Sequence, residues 1–161
     1  MRRITQIRQV LAGIAPLYPM GCAVGFHVQF TSPAFMVQTY APDWQRRYMD
    51  GGLLIKDPTV LWGMGNTGHI RWSDLSAKDS AGVLAEAATH GLKYGIVVSH
   101  QGVSDRSIGG FAREDREFSD AEAAELAQAI VAIHDLTDPF ADMPDNLRSA
   151  LRDLSIRSTN L

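Results

Sequence analysis

Hydrophobic and polar positions along the chain change period several times, and each change marks an element. Ile4, Ile7, Leu11 and Ile14 recur at helical spacing, which predicts an amphipathic N-terminal helix with its apolar stripe on a core. Pro19 and Gly21 break that pattern. CAVGFHVQF, 22–30, alternates and is rich in Val and Phe, and AFMVQTY, 34–40, does so again after a turn at 31–33. The two predict a pair of hairpin strands. PDWQRRYMD follows as a short helix with Pro42 in its first turn, stopped by Gly51 and Gly52. In DPTVLWGM, 57–64, Asp57 stands at the cap position and Pro58 in the first turn of another helix. HIRWSDL, 69–75, reads as a short extended piece, 77–90 as a helix stopped by Gly91, and KYGIVVSH, 93–100, as a third strand. IGGFARED, 108–115, reads as a fourth, with a glycine pair that predicts a bulge or a close approach. Ser119 caps a long helix with Asp120 and Glu122 in its first turn, where the dipole favours acids. Beyond it only Leu147, Leu151 and Leu154 keep a weak helical pattern.

This order predicts a mixed α+β fold built as an α-β-α sandwich. A small antiparallel sheet of about five strands is flanked by helices on both faces, and 1–161 forms one domain. A doubly wound parallel sheet needs repeated βα units, and none is visible. That decides the meaning of GMGNTG, 63–68, a literal G-x-G-x-x-G. A dinucleotide site needs those glycines to follow a strand and open a helix. Here they end a helix, and the acidic residue near the required spacing, Glu86, falls inside a predicted helix.

Composition narrows the function. The net charge of −3 argues against direct nucleic-acid binding by this chain, which calls for a basic patch. No stretch reaches the roughly 20 apolar residues of a membrane span, and Gln6, Arg8 and Gln9 interrupt what would otherwise resemble a signal peptide. The single cysteine, Cys22, sits in an apolar run, reads as a buried side chain, and fits a cytoplasmic location. H-E-x-x-H, C-x-x-C, G-x-S-x-G and Walker motifs are all absent. The five histidines, His27, His69, His90, His100 and His134, lack ligand spacing. No metal, cofactor or catalytic group is expected.

One region is denser in chemistry. Tyr40, Trp44, Tyr48, Asp57, Trp62 and Trp72 fall close together, and Trp44 and Tyr48 share a helix face. Tyr and Trp each carry an apolar body and a polar tip that needs a partner when buried. Such groups build either an aromatic core, with Asp57 as a helix cap, or an apolar pocket with a few converging polar tips.

The series Tyr40, Trp44, Tyr48, Asp57-Pro58 and Trp72, with the later GLKYGIVV containing Gly95, resembles the autoinducer-binding domain of LuxR-type quorum-sensing regulators. The resemblance runs from the first helix to the long last one. It implies an N-acyl-homoserine lactone as ligand and no enzymatic activity. By that resemblance Trp44 donates to the lactone carbonyl, Asp57 accepts from the ligand amide N–H, and Tyr40 donates to the amide carbonyl. Tyr48 and Trp72 wall the lactone, and Gly95 brings the sheet backbone close. Apolar walls for the acyl tail are expected from Val24, Phe26, Val28, Ile96 and Val98. Two departures stand out. Val97, Val98 and Ser99 occupy the segment where the family strand runs on to a proline, and the chain stops at LRDLSIRSTNL, where a helix-turn-helix is expected to begin. The sequence thus corresponds to an excised domain or to a protein without the DNA-binding half. Such a chain forms a homodimer, or a heterodimer with a full-length LuxR-type regulator that it blocks as an antiactivator. The alternative is an orphan domain that takes a different small molecule or only a protein partner.

Overall fold

The computed structural model describes residues 2–30 and 32–159, with side chains as far as 153. Thr31 and the side chain of Leu154, both part of the sequence reading, lie outside the described residues. Five antiparallel strands, β1 (Cys22–Val28), β2 (Phe35–Gln38), β3 (Gly68–Arg71), β4 (Tyr94–Gln101) and β5 (Arg106–Arg113), form one sheet in the order β2-β1-β5-β4-β3. Helices α1 (Arg2–Ile14), α5 (Asp120–Leu136) and α6 (Asp145–Thr159) contribute to the core on one face; α2 (Pro42–Asp50), α3 (Pro58–Gly65) and α4 (Val83–Thr89) stand on the other. This is the expected α-β-α sandwich.

The first face is closed. Phe26, Ile96 and Phe111 from the strands meet Ile7, Leu126, Ile130 and Leu151 from the helices, all at 2% exposure or less. The predicted stripe of α1 buries Ile4, Ile7 and Ile14, while Leu11 is half-buried against the same core. The start of α5 is a reciprocal cap: Ser119 Oγ accepts from Glu122 N–H at 3.1 Å, and the Glu122 carboxylate accepts from Ser119 N–H at 2.9 Å. Hydrogen bonds from Arg116 and from the Ser119 backbone pull the Glu122 carboxyl down to about 2.

Two local expectations change, and a third is narrowed to one of its alternatives. The helix expected over 77–90 is two pieces: a 3-10 run over Trp72–Lys78, then α4. The break lies at Asp79, whose carboxylate takes the N–H groups of Val83, Leu84 and Ala85 at 2.8, 2.9 and 3.2 Å, the orphan donors of a helix start. The extended reading of 69–75 holds only to Arg71, where β3 ends. The glycine pair in β5 gives close approach and no bulge. A Cβ on Gly109 would stand 2.9 Å from Ile130 on the closed face, and one on Gly110 would stand 3.3 Å from the Tyr40 hydroxyl on the other. The register shift sits in β1, between Gly25 and Val28, and the intervening His27 takes a left-handed φ of 54°.

GMGNTG ends α3 and opens β3, as its context in the sequence predicts. Gly63 lets α3 lie against the sheet, because a Cβ there would meet Ile108 at 2.5 Å. Ser99, in the segment that departs from the family pattern, donates to the Gly63 carbonyl at 2.6 Å and pins the helix down.

Candidate functional site

The second face of the sheet is not filled. Between β1, β2, β4 and β5 below and α2, α3, α4 and the 3-10 run above lies a cavity of about 210 Å³. That is the space of roughly seven waters at liquid density, well beyond an ordinary packing gap.

Its chemistry is graded along the strands. One rung of the sheet aligns Gln38, Ala23 and Gly110, and over Gly110 stand the Tyr40 hydroxyl and the Trp72 ring. The rung one repeat further aligns Met36, Gly25 and Ile108, with Pro33 set on Gly25, and Val28 and Met64 also line the wall. The two rungs are separated by two residues, about 7 Å. The cavity therefore has a polar aromatic end and an apolar track leading from it.

At the polar end the sequence-predicted residues come together. Tyr40, Trp44, Tyr48, Asp57 and Trp72 all line the cavity. Trp44 and Tyr48, one helical turn apart on α2, pack edge to face with ring centroids 5.9 Å apart. Asp57 has two jobs. Its Oδ1 accepts from Thr59 N–H at 2.8 Å and from the Thr59 hydroxyl at 2.7 Å, which caps α3. Its Oδ2 accepts from the Tyr48 hydroxyl at 2.7 Å. An ionised carboxylate offers about four acceptor positions, so one remains beside the cavity. Burial, and then the charge of Asp57, raise the Tyr48 hydroxyl far above the ordinary phenol range. Burial does the same at Tyr40. Both are neutral donors at any physiological pH.

Some donors are left over. The Tyr40 hydroxyl and the Trp44 indole N–H make no hydrogen bond among the described residues. The Trp72 indole N–H is buried and likewise unpartnered. Leaving a buried donor unpaired costs about 1–3 kcal/mol, which applies to the Trp72 indole, and all three donors at the cavity wall suit a ligand that brings acceptors.

Two expectations are corrected. Gly95 does not border the cavity. A Cβ there would lie 1.9 Å from the Trp72 ring, so the glycine makes room for that indole and acts on the cavity through it. Of the expected tail walls only Val28 lines the cavity; Val24, Phe26, Ile96 and Val98 belong to the closed core. Side chains alternate along a strand, and the cavity face carries Ala23, Gly25, Val97, Ile108 and Gly110. The parity is legible, since Gly95 and Val97 share a face, whereas hydrophobicity alone does not tell the two faces of β4 apart. Thr59, Gln38 and Met36 were missed as well; adjacency to Asp57 and alternation along β2 are the signals that point to them.

The histidines are also less scattered than their spacing implied. His27, at the β1 bulge, and His134, on α5, stack with ring centroids 4.3 Å apart, and His100 meets His134 edge-on at 4.9 Å. Their partners come from distant segments, so linear spacing carried no signal. His27 Nδ1 also lies 2.8 Å from Asp105 Oδ1.

Fold and cavity together make an α-β-α domain with one closed face and one face hollowed for a small molecule. The family model for the autoinducer binding domain matches residues 21–136, well over half of the chain, and the chain belongs to that family. It is 27% identical over 112 residues to the transcriptional activator protein VanR of Vibrio anguillarum, covering 68% of this chain and 45% of VanR; it thus spans less than half the length of that relative. The fold is shared with CepR2 of Burkholderia cenocepacia, an N-acylhomoserine-lactone-dependent LuxR family transcription factor (TM-score 0.60, 16% identity, 81% of this chain and 80% of that one). It is shared too with Escherichia coli SdiA, in the solution structure of residues 1–171 (TM-score 0.63, 22% identity, 84% of each chain). A further SdiA structure, in complex with octanoyl-rac-glycerol, matches with a TM-score of 0.61 at 20% identity, over 89% of this chain and 64% of that one. The chain is thus an autoinducer-binding domain of the LuxR type, a signal-binding regulatory domain. None of its described helices is long and apolar enough to cross a membrane.

Proposed function

We propose that the chain binds an N-acyl-homoserine lactone, lactone and amide at the aromatic end and acyl tail along the apolar track. The observation that carries this reading is the gradient of the cavity itself. Unpaired donors on Tyr40, Trp44 and Trp72 suit the two carbonyls of such a ligand. The spare acceptor position of Asp57 suits its single amide N–H. Each polar group of the ligand finds a partner of opposite kind, as burial requires. The ligand is bound and released intact, as the signal-binding family implies. Binding orders the α2–α3 side of the sheet and promotes pairing with a second copy or with a full-length LuxR-type regulator, which the chain would hold inactive.

Thermal unfolding against lactones of increasing tail length tests this. A ligand at 100 times its dissociation constant stabilises by about 2.7 kcal/mol, and Asp57→Asn abolishes that shift relative to its own ligand-free midpoint. Asn retains the capping oxygen, so the variant folds. The SdiA complex supports a second reading, in which an acyl glycerol occupies the cavity. If octanoyl-glycerol stabilises the chain and Asp57→Asn leaves that shift intact, the tail carries recognition and the lactone reading fails. Chromatography of recovered ligand tests turnover, and light scattering with and without ligand tests association.

A further inference from the structure

On the closed face of the sheet, away from the cavity, a second group of polar side chains is buried. His27 is 3% exposed and His134 1%. Ligand atoms of His27, Asp105, His134 and Asp138 all lie within 4.8 Å of one another.

The hydrogen-bond network is satisfied by tautomers that leave one lone pair free on each ring. The Thr137 hydroxyl donates to the Ile133 carbonyl, at 2.8 Å, the usual back-bond of a helical threonine. Its oxygen, 2.7 Å from His27 Nε2, therefore accepts the proton of that nitrogen. In a neutral ring this leaves His27 Nδ1 as a lone pair, and it faces Asp105 Oδ1 at 2.8 Å. A pair of acceptors at that distance is held together by a shared proton or by a metal cation. His134 completes the pattern. Its Nδ1 is 2.7 Å from Ser107 Oγ, while its Nε2 is buried with no hydrogen-bond partner among the described residues, although Asp105 Oδ1 stands 3.5 Å away. In the tautomer whose Nδ1–H donates to Ser107, Nε2 turns a second lone pair on the same carboxylate. Ser107 has room to accept this, since its oxygen otherwise takes only the His27 backbone N–H at 3.2 Å. A histidine whose far nitrogen donates to a hydroxyl or carboxylate is oriented as a metal ligand. A Cβ on Gly102 would lie 2.3 Å from His134 Nε2, so a glycine keeps that nitrogen clear.

We propose that His27, Asp105 and His134, with Asp138 as fourth ligand, form a site for a divalent transition-metal ion of the Zn²⁺ class. Two imidazoles and two carboxylates make a set suited to Zn²⁺. With bonds near 2.0–2.2 Å, a tetrahedral ion needs ligand atoms about 3.4 Å apart, so on binding the His27–Asp105 pair opens from 2.8 Å and the wider pairs, up to 4.8 Å, close in. The ion would join the β1 bulge, the β4–β5 hairpin and the C-terminal end of α5. This site is independent of the lactone reading, because it lies on the other face of the sheet.

Equilibrium dialysis of the metal-stripped full chain against Zn²⁺ alone tests it. One ion per chain is expected, with affinity weakened more than about tenfold in His134→Gln and in Asp105→Asn, and unchanged in His69→Gln, a surface control. No stoichiometric Zn²⁺, or equal affinity in His134→Gln, overturns the proposal and leaves a proton between His27 and Asp105. Should the variants fail to fold, Co²⁺ added to the unaltered chain decides. Intense visible bands of a four-coordinate nitrogen and oxygen site support the assignment, and the weak spectrum of the hydrated ion overturns it.

Discussion

The two faces of one sheet have been put to different uses. Ile96 and Val98 of β4 point into a closed core, while Val97 between them looks onto a cavity. Gly109 and Gly110 divide the same way, the first pressed by Ile130 and the second by Tyr40. On the closed face, long aliphatic side chains from α1, α5 and α6 fill the space. On the other, the strands present small residues, Ala23, Gly25 and Gly110, beneath bulky aromatic ones carried by helices. The difference shows how a hollow is held open in a small protein: the floor is cut low and the roof is propped by rigid rings.

Substitutions on the two faces should separate stability from binding. The largest loss is expected from Leu126→Ala, fully buried on the closed face, at about 2–5 kcal/mol. Urea unfolding measures it, and a loss below 1 kcal/mol would mean that this face is not continuously packed. Gly109→Ala comes next. Its Cβ would stand 2.9 Å from Ile130 and 3.0 Å from Val24, a degree of overpacking that costs about 1–3 kcal/mol. Third is the α5 cap, where Ser119→Ala costs about 1 kcal/mol without touching ligand affinity. The cap also titrates. The folded-state Glu122 carboxyl lies near 2, below its ordinary value of 4.5, so its contribution is complete above 4.5 and drains away as pH falls towards 2. Acid unfolding should show that window, and Glu122→Gln should remove its share. The smallest effect on stability belongs to Gly110→Ala, under about 1 kcal/mol because the contacts it meets are ordinary or only slightly tight. Yet its methyl group intrudes at the polar end of the cavity, and the lactone-induced thermal shift should shrink or vanish. If Gly109→Ala and Gly110→Ala instead behave alike in both assays, the division of labour between the faces is wrong.

How much of this was legible beforehand depended on how local the signal was. The caps at Asp57 and Ser119 and the start of α2 at Pro42 were visible, because each is settled by one or two neighbouring residues. The aromatic series was visible because its members lie within one stretch of chain. The orientation of β4 was not, because its hydrophobic run is buried on both sides and gives no alternation to read. The bulge at His27 was hidden too, since nothing in CAVGFHVQF announces a residue with positive φ. With it went the gathering of His27, Asp105 and His134, whose pairings reach across 78 and 110 positions to Asp105 and Thr137. Gly95 was expected beside the ligand, and its actual neighbour was not foreseen, because the contact with Trp72 joins β4 to the 3-10 run beside it.

Asp57 carries a lesson about inference from descent. Its carboxylate caps α3 and anchors Tyr48 whether or not a signal is ever bound. Selection for a folded chain alone would therefore preserve it, even in a lineage that had stopped listening. The residues free to drift in such a lineage are those whose polar tips do nothing for the fold, Trp44 and Tyr40 among them. Their persistence among sister sequences, more than that of the aspartate, would record whether the cavity still earns its keep as a receptor.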